Sequence, residues 1–243
     1  MRPLSHNELL NFWEWGTHRS GIERGLMLIS LSSSYSDRDK LLGLSIGERD
    51  GRLIRLRQML LGDMLMNVAN CPTCNEIVEW EMNINHFQIP DFPTEIKEQT
   101  YELEIDDFSI QYRLPNTKDL LTAIHENQES EEILKNCVLV AMNRDNQTIN
   151  YSELPDTIWD NLSKQMDQQD PLANIQFSLT CPSCQHHWQS TFDIMSYLWT
   201  EIDSWARRML QEVCILARAY HWSEKEILGM SAKRRQMYLE LIS

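Results

Sequence analysis

Near the C-terminal end, apolar residues recur in steps of three and four at Leu198, Ile202, Trp205, Met209, Val213, Leu216 and Tyr220. That period predicts one long helix from Ile194 to Tyr220 with a single apolar face, and Asp193 is placed to cap it. The same period appears at the other end of the chain. Leu9, Leu10, Trp13 and Trp15 follow a capping Ser5, and Gly16 and Gly21 mark where that helix stops. Ile22 to Leu31 reads as a second helix, followed by a polar break from Ser32 to Asp39. Ser45-Ile-Gly-Glu48 has capping-box spacing and opens a third, Ile46 to about Leu61. Leu53, Leu56 and Leu60 lie along one side of it, and Arg49, Arg52 and Arg55 form a stripe on another, placed to meet solvent or the acidic stretch between the two knuckles. After the long helix, Ser223-Glu-Lys-Glu226 is a second capping box, with Trp222 and Ile227 spaced as a hydrophobic staple. A short helix ends near Gly229, and Ser231 caps a last one carrying Lys233, Arg234, Arg235, Met237, Tyr238 and Leu241. Two short helices with a basic start admit a DNA-reading helix-turn-helix, but an acidic chain with so small a basic cluster favours packing or partner docking.

Between these helical ends the period changes to two. Leu65 to Asn70, Ile77 to Met82, Ile175 to Thr180 and His187 to Phe192 read as strands. Pro90 and Pro93 set an extended linker, and Thr100 to Ile105 with Phe108 to Leu114 predict a hairpin turning at Asp106-Asp107. Helices are expected at Thr117 to Glu126, Glu131 to Met142 and Asp156 to Gln168, with a polar turn at Asn143 to Asn150. The expected class is α+β and mainly helical. It divides into an N-terminal helical region (1–64), a split zinc ribbon (65–88 with 175–192), an acidic α+β insert (89–174) and a C-terminal helical region (193–243).

The four strands of the ribbon flank two near copies, Cys71-Pro72-Thr73-Cys74 and Cys181-Pro182-Ser183-Cys184. A tight turn of this kind points both sulfurs to one side and leaves amides free to donate to thiolate. Two such turns supply the four sulfurs of a closed, structural zinc site, so Cys71, Cys74, Cys181 and Cys184 are read as Zn²⁺ ligands. A thioredoxin-like redox pair would occur once and at a strand-to-helix junction, and two disulfides call for an oxidising compartment. Thiols that bind nothing are the bland alternative. His186 and His187 follow the second knuckle, where either could replace a cysteine, but nothing beside the first knuckle mirrors them. Cys137 and Cys214 fall on apolar helical faces and are expected to be buried. His125 sits beside Glu126 with no nucleophile or second base in reach of the pattern, so no catalytic residues are assigned.

Charge and composition then narrow the function. The 243 residues are 42% hydrophobic with eight Trp, which suits a globular chain. No apolar run reaches membrane-spanning length, and Arg2, His6 and Glu8 stand where a secretory signal needs an apolar core, so the expected compartment is the cytoplasm. Residues 75–180 hold 21 Asp and Glu against 6 Lys and Arg, a net of −15, while the rest is close to neutral. A surface of that sign repels phosphate backbones and takes weight from a nucleic-acid-binding zinc-ribbon regulator, the alternative reading.

Gly51-Arg52-Leu53-Ile54-Arg55-Leu56-Arg57 leading through Gly62 to the first knuckle, Phe192-Asp193-Ile194 after the second, and Ala219-Tyr220-His221-Trp222-Ser223-Glu224 before Arg234-Arg235 and Tyr238 make a further pattern. In it the chain resembles the T4-family baseplate hub proteins and hub assembly chaperones, and most of all the branch found in phage-tail-like contractile injection systems. The resemblance covers most of the chain. It implies a non-enzymatic component or assembly chaperone of the hub at the tip of a contractile tail, either staying in the particle or leaving it. Its implied partners are hub or spike proteins of the same particle. In that pattern glycine is expected where Asn75, Gln185 and His221 stand, departures that bear on turn geometry.

Overall fold

A computed structural model describes residues 1–33, 37–93, 95–96, 98–128, 130–145 and 147–242. Residues 34–36 of the predicted polar break and 146 of the predicted polar turn lie outside the described residues. The chain is α+β, mainly helical with three small antiparallel sheets.

The N-terminal helices start where side chains can satisfy their free amides. Ser5 and Glu8 form a reciprocal capping box at α1 (His6–Gly16), and Ser20 and Glu23 do the same at α2 (Gly21–Ser32). A short α3 (Arg38–Leu42) follows, and then α4 (Ile46–Leu61). At α4 only half of the expected box forms: Ser45 Oγ accepts from the Glu48 amide at 3.1 Å, while the Glu48 carboxylate accepts from Arg52 Nε at 3.0 Å. The long α8 (Ile194–Tyr220), described below in its place at the far end of the chain, closes this layer. Leu9, Phe12, Leu28, Ile29, Leu53 and Leu56 pack with Ile194, Leu198 and Ile202 in one core.

Three of the four arginines of α4 are turned away from solvent. Arg49, Arg52 and Arg57 are 2%, 3% and 3% exposed. Arg49 donates to Asp50 Oδ1 at 2.7 Å and to Thr117 Oγ1 at 3.3 Å. Arg52 reaches the Pro93 carbonyl at 3.0 Å, and Arg55, half-exposed, reaches Asp91 Oδ1 at 3.2 Å. A guanidinium tolerates burial because its fixed fork of donors can be satisfied all round. The bonds to Asp91, Pro93 and Thr117 fasten α4 to the acidic stretch between the knuckles, one of the two expectations for this stripe. Two glycines permit the approach: a Cβ on Gly47 would lie 2.0 Å from Asp170 Oδ1, and one on Gly51 would lie 2.5 Å from the Phe92 ring. In the space left, the Gly47 amide donates to Asp170 Oδ2 at 2.9 Å. Burial raises the Asp170 pKa even so, against the pull of that amide and of the Ser45 hydroxyl.

Strands β1 (Met64–Asn70) and β2 (Ile77–Asn83) form a two-stranded antiparallel hairpin around the first knuckle, with Asn70 opposite Ile77. The insert then adds β3 (Tyr101–Ile105) and β4 (Phe108–Tyr112), turning at Asp106-Asp107 with Asp106 at φ 53°. Next come α5 (Thr117–Glu126), α6 (Ser130–Cys137), β5 (Val138–Asn143) and α7 (Asp156–Gln169). The expected helix from Glu131 to Met142 is therefore only half helix. Val138-Leu139-Val140 is rich in β-branched residues, and it pairs antiparallel with β4 to complete a three-stranded sheet. Ile110, Tyr112, Cys137, Ala141, Ile158, Leu162 and Met166 form a core belonging to the insert alone.

The second knuckle sits in the hairpin of β6 (Gln176–Thr180) and β7 (His187–Thr191). Asp193 then caps α8 through the Met195 amide, and α9 (Glu224–Leu228) and α10 (Ala232–Glu240) follow with Ser223 and Ser231 as caps. Trp222, Tyr220 and Tyr238 form a cluster of three rings, with Trp222 4.5 Å from Tyr220 and 4.8 Å from Tyr238 and the two tyrosines 5.5 Å apart. Cys137 is buried as expected, but Cys214 is exposed on the solvent side of α8. Of the basic cluster at the start of α10, Arg235 is buried, donating to Glu212 Oε2 at 3.0 Å and to the Met230 carbonyl at 2.7 Å. An arginine spent on packing cannot read a base, so the helix-turn-helix reading loses one of its three charges.

Candidate metal centre

Each knuckle is built by the same two backbone bonds. The Cys71 amide donates to the Glu76 carbonyl at 2.8 Å and the Asn75 amide to the Cys71 carbonyl at 2.9 Å. In the second knuckle, the Cys181 amide donates to His186 at 2.9 Å and the Gln185 amide to Cys181 at 3.0 Å. The turn closes because residues 75 and 185 adopt left-handed backbone, at φ 62° and 59°. His221, which ends α8, does the same at φ 58°. All three positions where the resembled pattern has glycine are thus positions with positive φ.

The hairpins lie against each other through their alternating inward residues. Trp80 and Phe177 meet edge to face at 5.6 Å, and Phe87 and Phe192 stack beyond them at 5.6 Å. Tyr197 on α8 fixes the first hairpin by its free edge. Its hydroxyl accepts from the Met66 amide and donates to the Met66 carbonyl, both at 3.0 Å. One turn along α8, Glu201 takes a forked pair of bonds from Arg57 at 2.9 and 2.6 Å. Sequence reading missed Tyr197, Glu201 and the burial of Arg57. The partners lie 131 and 144 residues apart, and the only local hint was the i, i+4 spacing of Tyr197 and Glu201 on a single helix.

This framework brings Cys71, Cys74, Cys181 and Cys184 together with all four sulfurs within 4.8 Å of one another. The two close pairs cross between knuckles: Cys71 Sγ to Cys184 Sγ at 3.6 Å and Cys74 Sγ to Cys181 Sγ at 3.5 Å. A tetrahedron of sulfurs about 2.3 Å from a zinc ion has edges of about 3.8 Å, so the donor set and its spacing fit such an ion. All six cysteines are free thiols, and Cys71 and Cys181 are buried while Cys74 and Cys184 are exposed. His187 Nδ1 lies 2.8 Å from Thr180 Oγ1, and the His186 ring stacks on Trp188, so neither belongs to the cluster. His125 is exposed on α5, away from this group.

The thiols are electrostatically unequal. Burial opposes ionisation of Cys71, but the Cys74 and Thr73 amides and the neighbouring thiols outweigh it and bring the group down to about 7. At Cys74 the Glu76 amide favours thiolate, yet crowding by Cys184, Cys181 and Cys71, with burial, pushes it up to about 12. Cys184 is also raised: the His186 amide pulls it down, and burial with the Cys71 and Cys181 sulfurs prevails. One thiolate forms readily here and disfavours the next, so four sulfurs at this spacing require a bound cation to be thiolates together.

The family described as T4 bacteriophage base plate protein matches residues 23–199, which take in both knuckles, the insert and the start of α8. No curated protein and no solved structure matches the chain. The tail pattern from Ala219 to Tyr238 falls beyond the matched residues. Among the described residues, no helix is long and apolar enough to cross a membrane.

Proposed function

We propose, since the chain belongs to the T4 bacteriophage base plate protein family, that it is a non-enzymatic, zinc-stapled component or assembly chaperone of the baseplate hub in a contractile phage-tail-like injection system. The observation that carries this reading is the convergence of four sulfurs from two knuckles 107 to 113 residues apart, inside the matched stretch. Four thiolates fill a tetrahedral shell and leave no position for water or substrate, so the ion is structural. Its work is to close a long loop, holding the insert outward and fixing the helical ends against each other. The acidic insert and the helical tail then face hub or spike proteins.

The protein purified without added metal is expected to carry one zinc per chain by elemental analysis. Cys181→Ser with Cys184→Ser should abolish that zinc and lower the melting temperature by about 10 °C or more, about 2.5–5 kcal/mol for a chain of this size. A metal-free protein, or a double variant that melts like the parent, would sink the zinc reading. The hub assignment is tested separately, by mass spectrometry of intact particles and of assembly intermediates. Absence from both would remove it.

A further inference from the structure

The near identity of the two hairpins supplies an internal comparison. Their inward faces are alike, and their outward faces are not. On β6 and β7 the outward residues are Gln176, Ser178, Thr180, His187, Gln189 and Thr191, all polar and exposed. On β1 and β2 they include Met64, Met66, Val68 and Ile77, which are 47%, 60%, 63% and 60% exposed. A wetted face of an antiparallel sheet is ordinarily polar. The second hairpin obeys that rule on the same scaffold, so holding a metal does not explain the apolar face of the first. Contiguous exposed apolar residues of this kind mark a contact surface.

The register says what the contact must bring. Met66 lies opposite Glu81 and Val68 opposite Glu79, so an apolar row runs beside an acidic one. Pairing this face with its own copy would set the two acidic rows in one interface, at a cost. The occupant must therefore be apolar and positively charged. This chain carries such a surface on α10. Met237 and Leu241, 58% and 75% exposed, lie four residues apart on one side, directly after the exposed Lys233 and Arg234. On α8, by contrast, the exposed Leu210 and Ile215 are five residues apart, on different flanks of the helix.

We propose that α10 of a second copy docks on the outward face of the β1–β2 hairpin, with Met237 and Leu241 over Met64, Met66 and Val68, and with Lys233 and Arg234 against Glu79 and Glu81. The two surfaces differ, so the contact either closes reciprocally in a two-fold dimer or runs head to tail into a ring or an open row. The proposal does not depend on the hub assignment.

Sedimentation velocity of the full-length protein, purified with its zinc, from about 1 to 100 µM is expected to show mass increasing with concentration. Glu79→Lys with Glu81→Lys should weaken association at least about tenfold, as should Lys233→Glu with Arg234→Glu. Combining all four reversals should restore it. Met66→Gln and Met237→Gln, each at an exposed position, test the apolar half without touching charge, and thermal melts show that every variant is folded. A folded parent that is monomeric throughout, association indifferent to either reversal, or failure of the combined variant to recover would overturn the proposal.

Discussion

Asn75 and Gln185 hold equivalent backbone angles in the two knuckles, yet they do not carry equal strain. An asparagine visits the left-handed region at small cost, because its short amide bonds locally, whereas a glutamine there meets the full steric penalty of about 1–2 kcal/mol. Glycine removes that penalty but gives back part of it through a freer unfolded chain. Gln185→Gly is therefore expected to stabilise the metal-loaded protein by about 0.5–1 kcal/mol, and Asn75→Gly by less, in thermal melts. Equal shifts would mean the two turns are not strained in this way. At this scale the sequence was most legible where residues repeat. The paired Cys-Pro-x-Cys turns announced the site, and the departures from glycine fall at three of the positive-φ positions, those of Asn75, Gln185 and His221. Cys214 was misread because Val213 and Leu216 beside it follow the apolar period, and the neighbour of a periodic residue points elsewhere on a helix.

Among the elements, helix ends were legible because caps are local chemistry. Ser5, Ser45, Asp193, Ser223 and Ser231 each accept from an amide within the first turn. The end of α6 was not. No glycine or proline separates Cys137 from Val138, and pairing with β4 decides where helix gives way to strand. The arginines of α4 were half legible: meeting the acidic insert was one of the two expectations for the stripe, and Arg55 and Arg49 do reach Asp91 and Thr117 there, while the Glu201 partner of Arg57, 144 residues away, left no local sign. The Arg57–Glu201 fork is the tie between α4 and α8. The Glu201 carboxylate raises the Arg57 pKa despite the opposing effect of burial. Glu201→Ala leaves that guanidinium with the Gly62 carbonyl, 2.6 Å from Nη1, and the Tyr197 ring, 5.9 Å away, but with no carboxylate to pair its charge. The expected loss is about 3 kcal/mol in a denaturant titration, and Arg57→Met with Glu201→Leu should recover most of it. A single substitution costing under about 1 kcal/mol would show the pair to be no more than a surface ion pair.

Over the whole molecule, the two largest cores among the described residues are assembled in different ways. That of the insert draws only on residues within 101–169, while the helical core joins Leu9 and Ile29 to Leu198 and Ile202 from the opposite end of the chain. Stripping the metal with a chelator is accordingly expected to raise amide exchange in β1, β2, β6 and β7 first and in the helical layer next. Protection in β4, β5 and α7 should persist, and simultaneous loss everywhere would contradict the separation. The same separation fixes an order of events during synthesis, at about 5–20 residues per second. The insert is complete and can collapse while its first helices still wait. Cys184 and then α8 emerge late, followed only by α9 and α10, so the earliest part of the polypeptide is the last to complete its core. Until then the apolar faces that await α8 stay uncovered on the ribosome, and if the four sulfurs hold zinc as proposed, a cell short of that metal would meet this protein as an aggregation problem at translation.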